Sequence, residues 1–477
     1  MITQGVAERS PGAYRINSNN MEKYRIEKDT LGEMRVEADK LWGAQTQRAM
    51  ENFQIGKKHI PIEIIYGIAT AKKAAACANY DCGVLPEDKR DLIVRVVDEI
   101  TSGQWDDQFP LHIWQTGSGT QTNMNVNEVI AHRAQQLHGG QLTDYPLFLS
   151  PNDDVNKSQS TNDIFPTGMR IATAISIITR TLPALERMMA TYREKVAEYA
   201  DIKKIGRTHL MDATPLTLGD ELSGHLSQLE HGYEVIQQSL KHLMELPIGG
   251  TAVGNGINAP KGYDKIALQY INQFTGLEFT NCPNKFEAMA THDSLCEMSG
   301  AFKRLAVSLM KIANDFRLLN SGPRCGLGEM ILPANEPGSS IMPGKVNPTQ
   351  CEALSQVCCQ VIGNDVAITT GAMQGHLQLN VFMPLIGRNL LQSSRLLADV
   401  INSFNDHCLK GIKPNLERIS MHLHNSLMLV TKLNPHIGYY NAAKIAQHAH
   451  ENGLTLRESA LELGLVSAED FDEWMQL

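Results

Sequence analysis

Apolar residues in the middle of the chain recur in alternating steps of three and four, the spacing that places side chains on one face of an α-helix. The first such series is Ile171, Ile175, Ile178, Leu182, Leu185, Met189, Tyr192, Val196 and Tyr199. This spacing predicts a long helix with one apolar face. We expect a kink at Pro183, because proline has no backbone N–H to donate.

Two further stretches repeat this pattern. Their apolar-face positions are Leu218, Leu222, His225, Leu229, Tyr233, Ile236, Leu240 and Leu243 in one, and Met298, Phe302, Leu305, Leu309, Ile312, Phe316 and Leu319 in the other. Less regular patterns from about Leu354, and from Ile386 to Phe404, predict two more helices. Five long helices predict a helical bundle. A parallel sheet would need short β-branched runs alternating with helices, and the sequence shows none.

The predicted helices suggest how the chain is divided. We expect a disordered polar arm at 1–22, an N-terminal helical domain at 23–158, a central long-helix domain at 159–416 and a small C-terminal helical domain at 417–477. Several helices are too long for one compact unit to cover their apolar faces. Neighbouring subunits are therefore expected to cover the remainder.

Composition excludes several classes of function. The 477 residues carry a net charge of -9, which argues against nucleic acid as a partner. No apolar run reaches the roughly 20 residues that span a bilayer, and the N-terminus lacks a secretory apolar region. The nine cysteines include no C-x-x-C pair and the histidines no H-E-x-x-H. These features predict a cytoplasmic protein with reduced thiols and without a metal site.

Polar segments rich in Gly, Ser, Thr and Asn interrupt the helical pattern, and functional residues are expected there. They cover residues 116–127, 150–163, 206–214, 249–258 and 321–347. In the second of these, Asn162 or Asp163 is expected to cap a helix. Arg207 and Arg324 are expected to fix loops through ion pairs.

The segment 338–348 reads Gly-Ser-Ser-Ile-Met-Pro-Gly-Lys-Val-Asn-Pro. Its backbone N–H groups, with Lys345 and Asn347, suit a carboxylate that takes up charge when a neighbouring C–H is deprotonated. Ser339 and Ser340 supply hydroxyls beside these donors, and a serine can act as a base where its alkoxide is stabilised. By composition alone, a flexible surface loop with a chance lysine fits equally well.

This segment matches the pattern G-S-S-x-M-P-x-K-x-N-P, and through it the chain resembles the fumarase/aspartase superfamily from about Tyr24 onward. Residues 113–121, 206–210 and 322–326 are similar to class II fumarases in particular. Aspartate ammonia-lyases, the enzyme alternative, usually lack the Trp-Gln-Thr-Gly-Ser-Gly-Thr form of the first segment. They also tend to have Gln at the position of Glu336. A third reading is a protein that kept the fold without the chemistry.

The resemblance implies an all-α, three-domain chain with a central long-helix bundle, assembled as a homotetramer with a shared multi-helix core. It implies reversible hydration of fumarate to (S)-malate in the tricarboxylic acid cycle, by anti elimination and addition through an aci-carboxylate. No cofactor is expected. The implied partners are a small dicarboxylate substrate and further copies of the chain, whose residues share each active site.

The resemblance also implies roles for individual residues. Ser339 would be the base for the C3 proton of malate, and Lys345 and Asn347 would hold the carboxylate that receives the charge. His209, oriented by Glu352, would face the leaving hydroxyl. The expected substrate-binding residues are Ser118, Gly119, Thr120, Ser160, Thr161, Asn162, Thr208, Ser340 and Val346.

The chain departs from the family pattern at three places. A second carboxylate site would be formed by Ser150, Pro151, Asn152 and Asp153. The tract 147–153 lacks the basic residues usual there, which argues against that second site. Met211 replaces the usual Gln after Thr-His-Leu, and Met383 replaces the usual basic residue before Pro384.

Overall fold

The computed structural model describes residues 23–475, in which helices dominate; the predicted arm 1–22 lies outside the described residues. The α-helices are α1 Ala44–Asn52, α2 Ile62–Asp81, α3 Glu87–Thr101, α4 Thr120–Leu137, α5 Thr161–Ser176, α6 Leu182–Glu198, α7 Leu218–Leu243, α8 Tyr263–Thr275, α9 Lys285–Ala290, α10 Asp293–Leu319, α11 Thr349–Ala372, α12 Met383–His407, α13 Leu416–Asn425, α14 Asn434–Ile437, α15 Tyr439–Asn452, α16 Leu456–Glu462 and α17 Ala468–Trp474. The predicted all-α fold is confirmed.

The strands pair only in twos. They are β1 Tyr24–Asp29, β2 Gly32–Glu37, β3 Lys203–Thr208, β4 Met211–Thr217, β5 Glu245–Leu246, β6 Thr280–Asn281, β7 Met330–Ile331 and β8 Lys413–Pro414. The pairs β1–β2, β3–β4 and β7–β8 are antiparallel, and β5–β6 is parallel. Among residues 23–475, no helix is long and apolar enough to cross a membrane.

The chain folds into two compact units. Within the described residues, unit 1 comprises 23–175, Lys241–Cys296 and Ala367–Leu391, and unit 2 comprises Ser176–Leu240, Glu297–Val366 and 392–475. Five helices, α5, α7, α10, α11 and α12, contribute residues to both units. The three-domain division expected from the sequence stays a prediction.

The apolar faces predicted for α7 and α10 are buried. Leu222, Leu229 and Ile236 have no exposed surface, and neither do Phe302, Leu309 and Phe316. His225, which occupies one position of this face in α7, is also buried and bonds through Nε2 to Asp315 Oδ2 at 2.8 Å. An apolar face of this length supplies much of the stabilisation of each helix.

The first predicted helix is interrupted by a π-helical turn, Ile177–Thr181, between α5 and α6. Ile175 is 36% exposed, whereas Ile177 and Thr181 are buried. A π turn holds one extra residue, so the buried face moves by one position before it continues at Leu185. On the N-terminal side of the turn, the predicted face is therefore buried at Ile171 and wrong at Ile175. Pro183 follows at the start of α6, where its missing N–H explains why regular hydrogen bonding stops.

Candidate active site

Three predicted substrate-binding residues, Ser118, Gly119 and Thr120, lie at the start of α4. Gly119 has φ +75, and a Cβ there would stand 2.2 Å from the Phe165 ring, so only glycine fits. The Ser118 and Thr120 hydroxyls lie 2.9 Å apart. The helix thus begins at Thr120, whereas the sequence predicts a loop as far as residue 127. This start places two hydroxyls together at the N-terminal end of the helix.

Three more of the predicted substrate-binding residues, Ser160, Thr161 and Asn162, lie at the start of α5. Ser160 is the cap, because its Oγ accepts from the Asn162 backbone N–H at 3.2 Å. The Asp163 carboxylate accepts in return from the Ser160 N–H at 2.9 Å, which resembles a capping box. The predicted cap at Asn162 or Asp163 was therefore wrong, since the helix begins at Thr161.

The starts of α4 and α5 meet within unit 1. Asn123 in the first turn of α4 donates through Nδ2 to Thr161 Oγ1 at 3.0 Å. Two helix N-termini at one place favour a negatively charged group, because the helix dipoles place partial positive charge there. We call Ser118, Gly119, Thr120, Ser160, Thr161 and Asn162 the hydroxyl cluster.

In unit 2, residues 338–347, here called the serine–lysine loop, close on themselves. The Gly338 N–H donates to Lys345 O at 2.9 Å, and Asn347 Nδ2 donates to Gly338 O at 2.6 Å. A Cβ at Gly338 would lie 2.4 Å from Lys345 O, so this closure requires glycine. The closed loop leaves the Lys345 side chain exposed.

Within this loop, Ser339 is the residue with donors directed at its hydroxyl. Its Oγ accepts from the backbone N–H of Met342 at 3.0 Å and of Ile341 at 3.3 Å. Two N–H donors stabilise an alkoxide more than a neutral hydroxyl, and therefore favour a serine that gives up its proton. Ser340 and Val346 are exposed on the same loop, and Glu352 is exposed in the first turn of α11.

Thr208 and His209 lie at the tip of the β3–β4 hairpin, also in unit 2. Thr208 pairs with Met211, so His209 and Leu210 alone form the connection. Both have positive φ, +57 for His209 and +63 for Leu210. Two-residue hairpin turns of this kind favour Asn-Gly, and a histidine and a leucine there carry strain. The imidazole is thereby held exposed at the tip.

A buried charged network anchors this hairpin. Glu329, 2% exposed, accepts from Arg207 at 2.6 Å, contacts His422 Nδ1 at 2.8 Å and lies 3.1 Å from Lys204 Nζ. Burial raises the pKa of Glu329, but its hydrogen bonds to Arg207 and His422 and the charge of Lys204 outweigh this and hold the pKa at about 2. The prediction that Arg207 fixes a loop through an ion pair is confirmed.

The predicted catalytic residues occupy three places within unit 2: the serine–lysine loop, the hairpin tip and the start of α11. Within the described part of the chain, no hydrogen bond or ion pair joins His209 to Glu352. The predicted pairing and the roles of these residues therefore stay predictions. Among residues 23–475, there is no group of three or more His, Cys, Asp or Glu side chains that could hold a metal ion.

The segment of the doubted second carboxylate site forms a π-helical turn, Pro151–Val155. Ser150 caps it by accepting from the Asp153 N–H at 3.0 Å. The tract itself contains no cation, but Lys89 of α3 reaches it and pairs with Asp154 at 2.6 Å. That lysine is neutralised by Asp154, and the expectation that the tract does not attract a dianion strongly stays a prediction.

Sequence reasoning missed the polar layer beneath the hydroxyl cluster. Asn123 and Asn127 of α4 are buried, and so is Lys72 of α2. Buried amides require hydrogen-bond partners, so asparagines on a helix of apolar neighbours were the available signal. Lys72 stands in an alanine-rich run with a second lysine beside it and gave no signal.

Comparison with known proteins agrees with the architecture and the motifs. A lyase family model matches residues 32–363, and a fumarase C C-terminus model matches residues 429–477. The chain is 59% identical over 439 residues to a class II fumarate hydratase of Pasteurella multocida, covering 92% of this chain and 94% of that protein. It is 58% identical to that of Haemophilus influenzae, with the same coverage. Its fold is similar to a crystal structure of a class II fumarase from Schistosoma mansoni, with 45% identity, a TM-score of 0.93, and coverage of 95% of this chain and 98% of that one.

Proposed function

This chain belongs to the class II fumarate hydratases and, as a hydro-lyase, interconverts fumarate and malate; we propose that it does so with Ser339 as the base, through an aci-carboxylate. The observation that carries the proposal is the pair of backbone N–H groups directed at Ser339 Oγ. They stabilise the serine alkoxide, which otherwise is too basic to exist near neutral pH.

In the dehydration direction, the Ser339 alkoxide takes the C3 proton of malate. The electron pair of the broken C–H bond moves into the neighbouring carboxylate, and the aci-carboxylate forms. Lys345 and the second N–H of the Asn347 amide bind its oxygens. Because this charge develops only during the reaction, donors fixed in advance lower the barrier selectively.

The hydroxyl cluster binds the substrate carboxylates. Ser118, Thr120 and Thr161 offer neutral donors, and the two helix N-termini add partial positive charge. Short neutral donors of this kind hold a dianion without the strong fixation that an arginine would impose. Thr208 and Asn162 complete the binding groups.

The second step breaks the bond between C2 and the hydroxyl. His209, oriented by Glu352, protonates the hydroxyl as it leaves, and water is released. The electron pair returns from the aci-carboxylate to form the double bond of fumarate. The hydroxyl leaves from the side of malate opposite to the C3 proton, so the elimination is anti.

Each complete site combines residues from several copies of the chain in a homotetramer that works in the cytoplasm, in the tricarboxylic acid cycle. The sequence resemblance supports this assembly. So do Val307 and Val366, which are 58% and 61% exposed on α10 and α11 of a single chain. Apolar side chains this exposed on long helices fit a neighbouring helix from another copy.

The test is an absorbance assay with the purified full-length protein. Fumarate absorbance should fall as malate forms, at a rate that ammonium does not change. A fall that requires ammonium would identify an aspartate ammonia-lyase instead. No fall under either condition would mean that the fold is present without the chemistry.

A further inference from the structure

A fully buried lysine lies beneath the hydroxyl cluster. Lys72 of α2 has no exposed surface, and its Nζ donates to Asn156 Oδ1 and to Gln159 Oε1, each at 3.2 Å. Two helical turns further, Asn79 donates to Lys157 O at 2.9 Å and accepts from Ser158 Oγ at 2.6 Å. One face of α2 therefore holds the whole turn 156–159 that leads into Ser160.

The ammonium group is connected to the Thr161 hydroxyl through one relay. Asn156 Oδ1 accepts from Lys72 and also from Asn123 Nδ2 at 3.1 Å and Asn127 Nδ2 at 3.3 Å. The Asn123 amide lies equally close to Thr161 Oγ1, at 3.0 Å. The position of Asn156 thus determines where Asn123, and with it the Thr161 hydroxyl, can lie.

Asp163 holds the same segment from the opposite side. Its Oδ2 accepts from the backbone N–H groups of Gly249 at 3.0 Å and Thr251 at 3.1 Å, while Oδ1 accepts from Ser160. Burial lowers the pKa of Lys72 to about 7 and raises that of Asp163 to about 7, although each charge favours the ionised form of the other. The hydroxyl cluster therefore rests on two buried ionisable groups.

A purely structural role would not require this lysine. A buried ammonium costs several kcal/mol in lost hydration, and apolar residues of similar size often replace buried ions without loss of stability. Lys72 donates to two neutral amide oxygens, and the charge of the Asp163 carboxylate favours its ionised form, at the base of a cluster suited to a dianion. The favourable electrostatic energy of this buried ammonium group is largest when a negatively charged substrate is bound.

We propose that Lys72 is a positioning residue for substrate binding: its ammonium fixes Asn156 and Gln159, and through Asn123 the Thr161 hydroxyl, in the arrangement that receives the substrate dianion. This inference rests on the proposed function. Lys72 does not touch the reacting atoms, and the base on the serine–lysine loop is independent of it. Its loss should therefore weaken the binding of substrate and transition state alike, which raises KM and leaves kcat nearly unchanged.

The experiment compares Lys72→Met with Lys73→Met in the full-length enzyme. Lys73 is the next residue of the same helix, but its ammonium pairs with Asp98 at 2.5 Å. In Lys72→Met, we expect KM for fumarate and the inhibition constant of succinate to rise about 10-fold to 100-fold. We expect kcat to stay within about threefold, and Lys73→Met to match the wild type in all three constants.

Unchanged KM in Lys72→Met, or an equal rise in Lys73→Met, would overturn the inference, and so would a loss of kcat without a change in KM. If Lys72→Met does not fold, Asn123→Leu removes the amide next to Thr161 while Lys72 remains. Wild-type KM in that variant would equally overturn the inference. A wild-type protein that leaves fumarate unchanged would refute the proposed function instead, and calorimetric binding of succinate would then still compare the two lysine variants.

Discussion

Asn347 and Gly338 join the two ends of the serine–lysine loop, because Asn347 Nδ2 donates to the Gly338 carbonyl oxygen at 2.6 Å. An amide nitrogen has two N–H groups, so one can close the loop while the other stays available to a substrate oxygen. The same side chain is therefore expected to shape the loop and to bind the intermediate.

Asn347→Ala should lower kcat/KM by about 100-fold, because a charge-assisted donor and the loop closure are lost together. The opened loop should also be cut faster by trypsin after Lys345. Asn335→Ala is the matched control, since Asn335 also donates to a backbone carbonyl, that of His407, at 2.9 Å. Equal trypsin rates in both variants would show that Asn347 does not hold the loop closed.

Ser339→Ala should lower kcat by on the order of 10²–10⁴-fold, the usual effect of removing a positioned acid or base. Succinate affinity should change little, because the hydroxyl cluster and Lys345 remain. Steady-state kinetics and succinate inhibition measure both quantities. A variant that keeps more than a tenth of wild-type kcat would remove Ser339 from the mechanism.

At position 210, we expect the glycine variant to be more stable than the alanine variant, which is the reverse of the usual order. At φ +63 a side chain is strained, whereas glycine adopts this conformation readily. Leu210→Gly should therefore be more stable than Leu210→Ala by about 1 kcal/mol, although glycine normally destabilises through chain entropy. Calorimetric melting at a fixed protein concentration compares the two. A higher melting temperature for Leu210→Ala than for Leu210→Gly would show that the backbone at this position is not strained.

Glu329→Gln should lower the free energy of unfolding at pH 7 by about 3 kcal/mol, because Lys204 and Arg207 lose a buried anion. The pKa of Glu329 is held at about 2, below the ordinary 4.5. The stabilisation is therefore complete above pH 4.5 and is lost as the pH falls towards 2. Melting temperatures between pH 7 and pH 3 should show wild type and variant converging.

The less buried Glu221, which also pairs with Lys204 at 2.8 Å, provides the control. Glu221→Gln should have a smaller effect, since Lys204 keeps Glu329 as a partner. Wild-type and Glu329→Gln curves that stay parallel down to pH 3 would rule out the proposed linkage.

Shared active sites can be tested by complementation. Ser339→Ala and His209→Ala, each nearly inactive, are mixed in equal amounts, dissociated and reassembled. If the two residues of one site come from different chains, random assembly restores about a quarter of the sites, 1/2 × 1/2. Absence of recovered activity, despite demonstrated subunit exchange, would show that each chain supplies both residues of a site.

The sequence predicts the long helices well because an apolar face of period 3.6 is written directly in the order of residues. It fails where one local interaction overrides that period. Ile175 was predicted to be buried and is exposed. The π-helical turn that follows it leaves no mark in the spacing of apolar residues, so the sequence could not reveal this. Thr120 lies in a predicted loop, because the polar side chains that follow it are buried against partners such as Asn156 and Thr161 that only the fold reveals.

The candidate site divides in the same way. The serine–lysine loop could be recognised because its glycines, serines, lysine and asparagine are contiguous. Lys72 could not, because its contacts with Asn156 and Gln159 join residues more than 80 positions apart. The strained geometry of His209 was also hidden, since nothing in Thr-His-Leu-Met suggests a turn that normally favours Asn-Gly.

The turn Ile177–Thr181 is a place where the chain between α5 and α6 can tolerate a change in length. Each residue of an α-helix advances the side chains by about 100° around the axis. Deleting one residue from this turn closes it into regular helix, and the hydrogen bonding within α5 and within α6 is kept. The same deletion inside α6 would rotate Leu185 and Tyr192 out of step with the residues that bury them. Gaps between related sequences in this region should therefore accumulate at the turn and be absent from the helices on either side.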